Sequence, residues 1–219
     1  MQKCNTKDRR LKIIKYLYEW SPEILEQVTK LHKCLFLYEM FQLIDKKDFN
    51  LGYLKAYKNG PVFSDVFGDF TYNNENDNFK KHLINKNFKD NEAINIDESN
   101  LRKALFIVKT CTPTEISNVT HHLDAWKNTF KEDKEQIAIL KKDITDHDIE
   151  ILKLIKNSAL EYNEDLIIKN VQNKFFIFQK DIKLNGKIWE KIEKLATCDD
   201  LINPIYVLGI DEEGDLIID

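Results

Sequence analysis

Between Leu31 and Phe41 the chain runs Leu-His-Lys-Cys-Leu-Phe-Leu-Tyr-Glu-Met-Phe. As a helix, this stretch is apolar nearly all round, broken mainly by Lys33 and Glu39. A helix without a polar face has to be covered on several sides. The expectation is a helix from about Pro22 to Ile44 at the centre of the fold, with shorter elements packed around it. A chain of 219 residues, 42% hydrophobic and carrying 13 Phe, 8 Tyr and 3 Trp, has the material for such a core. Its length suits one large domain, or one domain with an appendage.

The flanking elements follow from periodicity and end signals. Leu11, Ile14, Leu17 and Tyr18 recur at helical spacing, which predicts a first helix from about Lys7 to Trp20. Ser21-Pro22-Glu23 then marks a fresh helix start. Phe49 to Lys58 alternates and is aromatic, a short strand or hairpin arm ended by Asn59-Gly60-Pro61. Helices are expected over Ser64 to Phe70, briefly over Phe79 to Leu83, and from Glu98 to about Thr110 behind an Asp97 cap. Thr112-Pro113-Thr114-Glu115 opens another, Thr114 to His121, and Asp124-Ala125-Trp126 is a turn that lowers the indole onto the core. Asp133 to Lys142 reads as a charged helix, and Thr145-Asp146-His147-Asp148 caps one from Ile149 to about Tyr162.

Beyond that point the character changes. Leu166 to Val171 and Lys174 to Gln179 are β-rich around a tight turn, Gly186 to Ala196 is an amphipathic helix, and Ile205 to Ile210 turns back into Leu216 to Ile218. The fold class is therefore α+β, mainly α. Residues 1–145 form a helical domain with a short β element; residues 146–219 form a linker helix and a small acidic β-α-ββ module. A module of that size is marginal alone, so it is expected to dock on the helical part.

Charge narrows the function. Charged residues make up 32% of the chain, yet the net charge is only -4, which describes a globular surface and not a nucleic-acid wrap. The four acids Asp211, Glu212, Glu213 and Asp215 sit in one turn with no nearby cation, a surface suited to a basic partner. Lys3, Lys7, Arg9, Arg10, Lys12 and Lys15 are the one dense basic cluster. They give a second candidate surface, centred on Arg9 and Arg10, and an alternative function as a DNA-binding regulator of a phage or mobile element. No run of about 18 apolar residues is present, so no membrane partner is expected, and Met1 to Arg10 is too polar for a cleavable leader. Cysteines 4, 34, 111 and 198 form no C-x-x-C pair and are expected as free thiols in the cytoplasm. His121 and His122 are adjacent on a helix and diverge by about 100°, so they do not share a metal, and His147 lies within a helix cap. With no H-E-x-x-H, nucleophile elbow or P-loop, the expectation is no enzyme, no catalytic residue, no metal and no cofactor.

Three short signatures in fixed order carry one more inference. Lys30, Leu31, Lys33, Leu35 and Phe36 match a K-L-x-K-x-L-[YF] helix; Tyr57, Gly60, Pro61 and Val62 match an aromatic-x-x-Gly-Pro-Val turn; Thr120, His121 and Trp126 match a T-H-x-x-x-x-W ending. Together, over about residues 8–130, they resemble the Panacea domain, the SocA-like family of bacterial and phage antitoxins. Ala125 stands where that family often has Pro, and the acidic residue usual just after the His is missing. The resemblance implies an antitoxin that neutralises a cognate toxin by direct contact, in some members handing it to a protease, so a protease or chaperone is a further implied partner.

Overall fold

The computed structural model describes residues 4–73, 78–86, 88, 94–134, 136–182, 185–200, 203–211 and 216–218. Helix dominates, and the fold is α+β and mainly α. Two compact units divide the chain at Glu161/Tyr162.

In the first unit, α2 (Val28–Ile44) is the centre. Every residue from Leu31 to Gln42 is buried, Leu35, Leu37, Tyr38 and Phe41 completely. It packs against α5 (Glu98–Lys109), α6 (Pro113–His121) and α8 (Asp146–Ser158), as a helix apolar on all sides requires. Its start differs from expectation. Pro22–Glu26 forms a 3-10 turn and Gln27 leaves helical geometry, so α2 begins afresh at Val28.

The caps behave as the sequence indicates. Asp97 accepts the Asn100 N–H, and both Thr112–Glu115 and Thr145–Asp148 form reciprocal capping boxes. The small sheet was harder to foresee. β1 (Leu54–Tyr57) pairs with β2 (Gly60–Phe63), in which all four residues are buried, and on its other side with β3 (Ile137–Ala138). Gly-Pro reads as a strand stop; here Pro61 lies in a strand at the sheet edge, where a missing N–H is tolerated. The helix expected over 133–142 is not formed: the described residues there hold a turn, then β3, and a 3-10 turn follows at Lys141–Asp143. Pairing with the free edge of β1, secured by Ile139 N–H to Leu54 O at 3.0 Å, outweighs the helical preference of the charged sequence.

Helix α1 (Asp8–Trp20) overturns one expected surface. Arg9 and Arg10, proposed above to face a partner, point inward. Arg9 Nε meets Glu39 Oε1 at 2.8 Å and its Nη1 meets Asp48 at 2.9 Å, while Arg10 Nε meets Asp65 at 2.9 Å. The guanidinium of Arg10 also lies 4.7 Å over the Phe63 ring. Buried carboxylates on other elements, which the helix pattern alone does not reveal, draw both side chains in. α3 (Ser64–Asn73) supplies Asp65, and α4 (Asn78–Asn85) closes the core with Phe79 and Leu83.

The domain boundary also moves. The helix from Asp146 belongs to the first unit and not to a linker: Leu152 is fully buried, and Asp148 holds the N–H groups of Asp124 and Ala125. The second unit is β4 (Leu166–Val171), β5 (Lys174–Gln179), α9 (Gly186–Ala196), β6 (Ile205–Ile210) and β7 (Leu216–Ile218). The strands lie in that order. Two hairpins are joined by a parallel β5–β6 pair that α9 bridges, so the module is β-β-α-β-β: all four expected β segments are strands, one more than the label β-α-ββ counts. Phe176, Phe178, Tyr206 and Leu208 pack with Ile188 and Ile192 of α9.

Candidate functional site

The three signatures, spread over residues 30–126 of the sequence, meet at one place in the first unit. Lys33, on the second turn of α2, runs to the hairpin turn and donates from Nζ to Pro61 O at 3.1 Å. Gly60 is in the left-handed region, with φ +98°. A side chain there would collide with both Lys33 Nζ and Thr120 Oγ1, so only Gly lets the turn approach this closely. Thr120 is fully buried, its hydroxyl donating to Ser117 O at 2.9 Å. Trp126 donates its indole N–H to Tyr57 O at 2.8 Å, sewing the third signature to the second.

Helix α7 (Asp124–Lys127) sets the indole in place. The buried Asp148 carboxylate accepts from Asp124 N at 2.6 Å, Ala125 N at 3.1 Å and Thr145 N at 2.9 Å, so one side chain caps α7 and closes the α8 box. Ala125 keeps a donor that Pro would lack, and Asp148 uses it. The Trp126 ring then stacks between His121, at 4.0 Å and 20°, and Phe130, at 4.9 Å and 10°.

Electrostatically this is an unusual corner. Lys33 is 1% exposed, and burial pushes its ammonium down to about 7. Neighbouring His32 is 2% exposed; burial first, and then the Lys33 charge, push it down to about 3, so it is neutral. Neither ring nitrogen of His32 has a hydrogen-bond partner, and His121 Nε2 likewise has none. His121 makes a backbone hydrogen bond at Lys58, yet burial and then Lys33 keep it below the ordinary histidine range. Lys30, half-buried, is lowered by burial as well. Beside Lys33 and His32 lies a cavity of about 180 Å³, with Tyr57, Val62 and Phe67 among its walls.

Leu31, Leu35 and Phe36 face the core, Lys30 lies apart among Lys109, Cys111 and Glu115, and Lys33, Tyr57, Gly60, Pro61, Val62, Thr120, His121 and Trp126 gather around the hairpin turn. Arg9 and Arg10 are not among them. Asp211 is exposed, in the second unit; Glu212, Glu213 and Asp215 lie outside the described residues. His32 and Asp148 are site residues that the sequence signatures do not include. Asp148 was readable as the fourth position of a capping box, whereas nothing in the local sequence marks His32. Among the described residues no three His, Cys, Asp or Glu side chains are placed to hold a metal ion, and no helix is long and apolar enough to cross a membrane. No protein-family model, curated protein or solved structure matches the chain.

Proposed function

We propose that this chain is an antitoxin-type protein that silences a cognate toxin by direct protein–protein contact in the cytoplasm. The observation that supports this most is the convergence of the three Panacea-like signatures. Residues 30–36, 57–62 and 120–126 hold one another through Lys33 to Pro61 and Trp126 to Tyr57, around a glycine no other residue replaces. A resemblance in sequence suggests a function without fixing it, and the contact among the signatures supports reading them as one unit in this chain. An acidic stretch from Asp211 onward suits a basic partner surface, where rim charges act chiefly on the encounter rate.

The side chains of α1 weigh against the alternative of a DNA-binding regulator. Its support was the basic face of α1, and Arg9 and Arg10 are committed to carboxylates. Lys12 and Lys15 donate to the carbonyls of Ile94 and Lys86, and Lys7 lies over the Tyr53 ring. A phosphate track needs these cations free.

Growth is the direct assay. The reading frame adjacent to this gene is expressed alone in a heterologous host, then together with this chain. Growth arrest in the first case and recovery in the second is the expected result. A harmless neighbouring product, or arrest that persists on co-expression, would refute the proposal.

A further inference from the structure

Helix α2 begins uncapped. Gln27 offers no side-chain cap, and its first turn holds no acidic residue. A helix start of this kind leaves backbone N–H groups unpaired and carries the positive end of the helix dipole. Val28 and Thr29, in that first turn, border the 180 Å³ cavity described above.

Two buried side chains reach the same space. Lys33 spends one of its three donors on Pro61 O, and among the described residues no carboxylate is paired with it. His32 lines the cavity with both nitrogens buried and unpartnered. Buried polar groups are ordinarily satisfied, and a site where several are not is shaped for something else. All of the unspent donors favour negative charge. Lys58 and Asn59 of the hairpin turn add polar wall, and Val62 and Phe67 supply the apolar part, with the Phe67 ring 5.3 Å from Tyr57 and 5.9 Å from His32.

We propose that this cavity binds a small organic carboxylate, its carboxyl group on Lys33 and the first-turn N–H groups of α2, its apolar body against Val62 and Phe67. A helix N-terminus backed by a lysine is an anion site. An apolar cavity of about 150 Å³ accommodates a benzene ring, so a single ring or a branched aliphatic body fits here. Inorganic phosphate would leave the aromatic walls unfilled. The site lies beyond the antitoxin proposal and is tested on the chain alone, so neither result decides the other.

The probe is benzoate, titrated into the full chain by calorimetry or protein NMR near pH 6. Acetate tests the carboxylate without the ring, benzamide the ring without the charge, and phosphate another anion. Benzoate is expected to bind with a Kd of about 1 mM, and the other three at least about tenfold more weakly. Lys33 has to carry its proton, so benzoate affinity falls about tenfold from pH 6 to pH 8. The charged or titratable groups around it do not reverse that trend: His32 is neutral throughout, His121 is held below the ordinary range, and Lys58 on the cavity wall is basic like Lys33. Lys33→Met should abolish binding and its pH dependence. Val28→Trp should block the cavity with Lys33 in place, and covers the case in which the first variant fails to fold. The proposal is overturned if benzoate does not bind at about 10 mM, if benzamide, acetate or phosphate binds as tightly, or if a folded variant binds benzoate like the wild type.

Discussion

Helices α1 and α2 each bury positive side chains, and they do so on opposite terms. Arg9 and Arg10 are matched by Glu39, Asp48 and Asp65, and the ion pairs tie α1 to α2, to the loop after it and to α3. Lys33 is buried as deeply as Arg10, yet it meets one carbonyl and no acid among the described residues. A matched buried pair fixes how elements sit and is costly to break from one side. An unmatched cation costs stability and serves the fold poorly, so its presence points to use. Removing each cation therefore has opposite consequences.

Arg10→Leu should show the largest effect. It strands the Asp65 carboxylate in the core and is expected to lower stability by about 3–5 kcal/mol, measured by urea denaturation. A loss below about 1 kcal/mol would erase the distinction between the two helices. Lys33→Met should go the other way. The folded protein releases the Lys33 proton near 7, while an unfolded lysine holds it to about 10. Folding is therefore penalised in full below pH 7, and the penalty lifts as pH rises toward the unfolded value. The variant should be more stable than wild type by about 2–4 kcal/mol near pH 6, with the gap narrowing by about pH 9. Denaturation curves at the two pH values test both size and sign. A destabilised variant whose deficit is independent of pH would mean that Lys33 is a structural peg. Trp126→Phe should have the smallest effect. It keeps the stack between His121 and Phe130 but removes the indole N–H bond to Tyr57 O, for a loss of about 1 kcal/mol in thermal or chemical unfolding.

Those contrasts also show what a single sequence reveals. Features encoded within a few residues were legible: the buried run of α2, the caps at Asp97, Thr112 and Thr145, and the bounds of β4, β5 and α9. Features whose cause lies far along the chain were not. β3 is a strand because an edge of β1, more than eighty residues earlier, is open to it. Arg9 and Arg10 looked like a solvated face because their acids stand at positions 39, 48 and 65. The candidate site divides in the same way. Its signature residues were recognisable one motif at a time, but the meeting of Lys33, Gly60 and Thr120 is a tertiary fact, and so is the burial of His32.

The central position of α2 has a consequence in time. The chain is made from its N-terminus, and α2 leaves the ribosome well before α5, α6 and α8, the helices that cover it. About 110 residues separate its end from the end of α8, which at a synthesis rate of about 5–20 residues per second is roughly 6–20 s. Throughout that interval a helix with no polar face has no native partner on most of its sides. Newly made chains should accordingly be most vulnerable to aggregation or proteolysis while α5 to α8 are still being added, and supply of the finished protein should depend on how well that window is guarded.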